Sequence, residues 1–319
     1  MSERASGHAE QGNPKASYLP LLVSGELARR VKAAWAMLSS CHLCPRGCGV
    51  DRLAEQAGFC GATGRSVDVA SHSVHRWEEP PISGTRGSGT IFFAHCTARC
   101  LFCQNYPISQ LGVGSTYETT DLAGMMLSLQ RQGCHNINLV TPTHYVPHVL
   151  DAILRAARSG LHLPIVYNTS GYDSVETLSL LNGIVDIYLP DAKYADDDVA
   201  EELSGIHGYV SANHDALREM ARQVGPRLLM DDEGIAYRGM VVRHLVLPER
   251  LSQTAVVLRW IADEISPQAC VSLMAQYFPA HRAVGHPRLG RRLTEDEYEA
   301  ALDACDAAGI ACGWRQEWG

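Results

Sequence analysis

From residue 90 onward the chain alternates short apolar runs with longer amphipathic stretches. The runs at 90–94, 136–141, 165–169, 184–189, 240–247 and 270–278 read as buried parallel strands. Between them, 121–132, 146–159, 174–181, 197–203 with 214–223, and 252–265 carry helical periodicity, several opening on an Asp or Ser cap. Six strand–helix units in this order imply parallel pairing with right-handed crossovers. They predict an α/β fold, a partial (βα)6 TIM-type barrel. Ahead of it, 25–39 reads as a helix with Leu27, Val31, Ala34 and Leu38 on one face, and 1–17 as a disordered tail. From 41 to about 65 periodicity gives way to Gly, Pro and Cys, the mark of a segment too short for a core of its own and held by metal. The expected organisation is a tail over 1–17, a helix and small cysteine-rich metal-binding module over 18–84, and a barrel core over 85–319.

Composition narrows the class. With 46% hydrophobic and 19% charged residues in 319, the chain is neither disordered nor fibrous. Its 27 basic and 35 acidic residues give a net charge of −8 with no basic face, which argues against nucleic acid as a partner. No run approaches the ~18 apolar residues of a membrane span, and the polar first residues lack a signal-peptide core. A cytoplasmic protein with no membrane contact is expected. In that reducing compartment the 11 cysteines point to metal or redox chemistry and not to disulfides. Cys134, Cys270 and Cys305, scattered along the chain, read as small buried hydrophobes, and Cys312 is left unassigned.

In an α/β barrel the reacting groups collect at the carboxyl ends of the strands. After the first strand comes His95-Cys96-Thr97-Ala98-Arg99-Cys100-Leu101-Phe102-Cys103, a C-x3-C-x2-C loop. Three thiolates can hold three irons of a [4Fe-4S] cluster and leave the fourth iron open for a ligand; the alternative is a zinc site completed by His95. Later strand ends supply Thr141, Pro142, Thr143 and His144, then Asn168 and Ser170, then Asp191 and Lys193 two apart on one side. Upstream, Cys41, Cys44, Cys48 and Cys60 form C-x2-C-P-x2-C with a fourth cysteine after eleven intervening residues and followed by Gly61, a soft donor set that suits zinc or a second iron–sulfur cluster.

The loop spacing, with an aromatic residue at Phe102 before its last cysteine, resembles the radical S-adenosylmethionine (SAM) superfamily. The wider series, Cys41 to Arg52, Cys96 to Cys103, Asn136 to His144, Tyr167 to Gly171, Asp186 to Lys193 and Val242 to Pro248, is similar to the pyruvate formate-lyase activating enzyme group and its PflX-like branch. The resemblance implies that Cys96, Cys100 and Cys103 hold a [4Fe-4S] cluster whose open iron chelates SAM, and that reductive cleavage yields a 5′-deoxyadenosyl radical which abstracts hydrogen from a substrate. It further implies SAM contacts from Phe102, Asn138, Thr141, Thr143, His144, Asn168, Ser170, Asp191 and Lys193. An electron donor such as flavodoxin or ferredoxin is implied, with a glycyl-radical enzyme or another protein as substrate. The chain departs from many members of the superfamily in one respect: Thr141-Pro142-Thr143-His144 stands where a Gly-Gly-Glu motif binds the methionine amino group. Two other readings remain open at this point, a radical SAM enzyme acting on a small molecule or another protein, and a zinc-binding scaffold without catalysis.

Overall fold

The computed structural model describes residues 16–316. Most of the expected tail and the last residues, Trp318 among them, lie outside the described residues. Among the described residues there are ten strands: β1 (Val67–His75), β2 (Ser88–Phe93), β3 (Ser115–Tyr117), β4 (Ile137–Val140), β5 (Ile165–Thr169), β6 (Ile187–Pro190), β7 (Leu229–Met230), β8 (Ala236–Leu245), β9 (Cys270–Met274) and β10 (Gly313–Arg315). They run β10-β9-β8-β6-β5-β4-β2-β1-β3, with β7 beside β8. Along the path from β2 to β10 every pairing is parallel and in chain order, while β7 adds antiparallel to β8. The six expected strands are β2, β4, β5, β6, β8 and β9, wound in sequence with a helix between each pair. The sheet is not closed, β3 and β10 being its edges. Side chains from β2, β4, β5, β8, β9 and β10 line one cavity of about 690 Å³, so the sheet curls around a lumen as a partial barrel.

The helix Val146–Arg158 is buried along most of its length, Val146, Val149, Leu150, Ile153 and Leu154 included, because other helices cover its outer side. These are Thr119–Arg131 and Glu26–Ala36, the latter placing Leu27, Val31 and Ala34 inward as its periodicity predicts. Beyond Ala36 the expected helix tightens into a 3-10 turn over Met37–Ser40. No helix among the described residues is long and apolar enough to cross a membrane.

Several elements differ from expectation. The run 184–189 starts pairing only at Ile187, because Ile184 and Val185 donate their amides to the Leu181 carbonyl (2.8 and 3.2 Å) and complete the preceding helical turn. β1 carries no clean alternation, yet it pairs antiparallel with β2 from Val69↔Phe93 to His75↔Ser88 across a bulge. The sheet therefore begins at residue 67, inside the segment assigned to the cysteine-rich module. At the other edge Cys270 and Cys312 are joined in a disulfide. This corrects the reading of Cys270 as a lone packing thiol: the parallel register Gly313↔Val271 brings the two cysteines to a Cα separation of 4.6 Å.

Candidate active site

The loop after β2 is held from several sides. His95 turns the chain with φ of 70° and pairs through Nε2 with Asp68 Oδ2 of β1 at 3.2 Å, which fixes the start of the loop. Arg99 and Leu101 donate backbone N–H to the carbonyls of Ser204 and Leu203, both at 2.8 Å, and Gln110 Nε2 donates to the Cys100 carbonyl at 2.8 Å. Phe102 is buried edge-on against Tyr277, ring centroids 5.9 Å apart, and so acts as a wedge that fixes the turn before Cys103. Hydroxyls meet two sulfurs: Ser204 Oγ donates to Cys100 Sγ at 3.0 Å, and Ser109 Oγ lies 3.2 Å from Cys103 Sγ. Desolvation, with the neighbouring Cys100 adding to it, pushes the Cys96 thiol up to about 12. Desolvation raises Cys100 as well, opposed by Lys193. These thiols are neutral until something that competes with the proton binds them.

Facing the loop from the end of β6, Lys193 Nζ is paired with Asp191 Oδ2. Burial disfavours the ammonium, but Asp191 and then Cys100 outweigh it and hold Lys193 well above the ordinary lysine range. Asp191, Lys193 and Asn168 all line the lumen, as their strand-end positions predict. On the opposite wall the sequence displays Arg243 in its fifth strand, but sequence reasoning missed its partners. Arg243 of β8 is enclosed with Glu78 and Glu79, its Nε 2.9 Å from Glu79 Oε1 and its Nη2 2.6 Å from Glu79 Oε2 and bonded to Glu78. Burial pushes the Glu79 carboxyl up, and Arg243 more than reverses this, holding it below the usual carboxylate range. Asn138, expected near SAM, is fully buried and donates Nδ2 to Glu78 Oε1 at 2.9 Å, its Oδ1 having no partner among the described residues.

The second-strand residues are used differently from the expectation that they contact SAM. Thr141 makes the turn, with φ of 59°, and its amide donates to the Asn168 carbonyl at 2.8 Å. Thr143 Oγ1 donates to Asp173 Oδ1 at 2.7 Å, and Asp173 also accepts from Thr169 Oγ1 at 2.6 Å and the Tyr167 hydroxyl at 2.9 Å. His144 Nε2 donates to the Ala94 carbonyl at 2.8 Å, and burial drives its pKa down to about 3, so it is a neutral clamp on the chain entering the cysteine loop. Ser170 presents its carbonyl to the Tyr209 hydroxyl at 3.1 Å. None of these four side chains is among those lining the cavity. We expect Asp173→Ala to destabilise the fold by about 2–3 kcal/mol, since three buried hydroxyls lose a charged acceptor. Urea unfolding checks this, and a loss below ~0.5 kcal/mol contradicts the bracing role.

The upstream cysteines pack beside this loop. Cys41 and Cys60 are buried, and Cys44 is an electrostatic neighbour of both. Among the described residues no three His, Cys, Asp or Glu side chains converge as ligands of a single metal ion, in this set or in the barrel loop.

Over 290 residues the chain is 31% identical to uncharacterized protein MJ0674 of Methanocaldococcus jannaschii, a match covering 87% of this chain and 77% of that protein. The chain belongs to the MJ0674 family. A match leaving so little of the chain outside takes in β1 to β9, so the cysteine loop lies within the part shared with the MJ0674 family. No family model matches. Among solved structures, methylornithine synthase (PylB) is 14% identical over 93% of this chain and 75% of its own, with a TM-score of 0.43. A radical SAM methyltransferase from Sphaerobacter thermophilus is 14% identical over 70% of this chain and 65% of its own, with a TM-score of 0.49.

Proposed function

We propose that this protein is a radical SAM enzyme, with Cys96, Cys100 and Cys103 holding a [4Fe-4S] cluster at the mouth of the barrel. The observation that carries the reading is three thiols on a braced loop faced by the Asp191–Lys193 pair. The residues fit the group: Ser204 donates to one sulfur, the Ser109 hydroxyl lies in hydrogen-bond contact with another, and three thiolates leave one iron open. Once reduced by one electron from a flavodoxin- or ferredoxin-type donor, such a cluster cleaves SAM to methionine and a 5′-deoxyadenosyl radical, which takes a hydrogen atom from the substrate. The chain's own residues orient and enclose. Lys193 and Asn168 offer donors to a carboxylate or ribose, Asp191 an acceptor to an amine, and Phe102 keeps the loop from opening.

For the acceptor, the resemblance supports a glycyl-radical activase, whose substrate is a backbone glycine of a partner protein. The lumen favours a second reading, a small polar molecule, because charged side chains of both signs line the cavity, Glu78, Glu79 and Asp191 with Lys193, Arg243 and Arg315. The test is anaerobic incubation of the iron-reconstituted protein with SAM and dithionite, with and without a glycyl-radical enzyme. Formation of 5′-deoxyadenosine is the expected result, and its absence overturns the proposal. A glycyl doublet on the partner in paramagnetic resonance selects the activase; 5′-deoxyadenosine without that doublet selects the small molecule.

A further inference from the structure

Among the described residues Arg52 is the largest fully buried side chain, and no carboxylate pairs with it. Its Nη1 donates to the His144 carbonyl at 2.6 Å, while Nε and Nη2 are buried with no partner among the described residues. A guanidinium in that state requires an anion or acceptor beside it. The side chains within its field include His144, Tyr145, His148 and the Cys60 thiol, and of these the thiol is the one that becomes an anion on binding a metal.

Around Cys60 the other upstream cysteines assemble. Cys60 is an electrostatic neighbour of Cys41 and Cys48, and Cys44 of Cys60 and Cys41. Backbone bonds fold the segment tightly: the Cys41 amide donates to the Val50 carbonyl and the Gly49 amide to the Cys41 carbonyl, both at 2.9 Å. At Gly58 a Cβ would stand 2.8 Å from Cys48 Sγ, so the chain crosses that sulfur at a distance only glycine permits.

We propose that Cys41, Cys44, Cys48 and Cys60 ligate a second iron–sulfur cluster, with Arg52 as its buried countercharge. On binding, the four thiols release their protons, and the resulting thiolates make the centre net negative, which supplies the anion Arg52 lacks. A single zinc ion needs its sulfurs gathered at about 2.3 Å from one point. Among the described residues no three ligating side chains gather in that way, at these cysteines or at Cys96, Cys100 and Cys103. A cubane asks less, because each thiolate takes its own iron. The second site also touches the first loop: Arg46, beside Cys44, donates Nε to the Thr97 carbonyl at 2.7 Å, and Arg99 donates Nη2 to the Phe59 carbonyl at 2.9 Å. The inference does not depend on the reading of the barrel site.

The test is metal analysis and paramagnetic resonance on the full chain, purified and reconstituted without oxygen. The triple variant Cys96→Ala/Cys100→Ala/Cys103→Ala is expected to keep about four irons per chain and a reducible signal that SAM does not alter, whereas adding Cys44→Ala and Cys60→Ala removes that iron. Four persistent irons support the second cluster even if the barrel site fails to cleave SAM. An iron-free triple variant that melts like the wild type, or zinc in place of iron, overturns it. Arg52→Met is expected to move the midpoint potential of the retained signal to more negative values, since the lost positive charge had favoured the reduced form, and Arg52→Lys to restore most of it. An unchanged potential in Arg52→Met, or loss of the signal in Arg52→Lys alike, overturns the countercharge.

Discussion

Cys100→Ala is expected to bleach the iron–sulfur absorbance of the barrel site and to reduce SAM cleavage to the level of buffer, while leaving the fold intact. Cys100 sits between the two braced halves of the loop, its carbonyl held by Gln110 and its sulfur by Ser204. Removing it leaves two thiolates for four irons, too few to retain the cluster. The sulfur is half-buried and alanine fits its place, so the stability cost should stay near 1 kcal/mol. Ser204→Ala makes the graded counterpart. It removes only the hydroxyl donor to Cys100, and outer-shell losses of that kind cost about 10–100-fold in metal affinity or activity. Iron content, absorbance and 5′-deoxyadenosine formation measured on both variants check the series. Full cleavage by Cys100→Ala would remove the barrel loop from the chemistry.

The parts of this site that were legible in the sequence are those fixed by local covalent spacing. Cys96, Cys100 and Cys103 must share one loop, and Asp191 and Lys193, two apart at a strand end, must face one way. The wound order of β2 to β9 follows from strand–helix alternation, so the lumen and its Asn168 could be anticipated. What escaped depends on distant segments meeting. Thr143 looks like a ligand donor until Asp173, thirty residues on, takes its hydroxyl. Arg243 stands in an apolar run whose neighbours give no hint of Glu78 and Glu79, more than 160 residues earlier. The strand β1 hides because its outer half is exposed and polar, and Cys312 could be paired with Cys270 only after β10 was seen to add to β9. The helix Glu295–Ala307 escaped likewise, although it opens on a Thr294–Glu297 capping box that the sequence displays.

Arg243→Met is expected to be the most destabilising of the lumen substitutions, at about 3–5 kcal/mol near neutral pH, because it leaves two carboxylates enclosed without their cation. The pH dependence identifies the cause. In the wild type Arg243 holds the Glu79 carboxyl below its ordinary value of 4.5, so the pair's contribution is complete above that pH and fades as acid protonates the folded state. In the variant burial, the largest influence on Glu79, is opposed only by its backbone and Ser272 hydrogen bonds, so Glu79 is expected to titrate above its unfolded value and to penalise the folded state increasingly as pH rises through the shifted value. The two stability curves should therefore stand furthest apart near pH 7 and draw together toward pH 5 and below. Urea midpoints at both pH values measure the gap. Arg243→Met/Glu79→Gln should recover part of the loss at pH 7 and lack the added pH dependence, since a neutral amide needs no counterion. A deficit equal at pH 5 and pH 7, with no recovery in the double variant, would mean that Arg243 acts through packing of its aliphatic stem and that the lumen wall is not electrostatically matched.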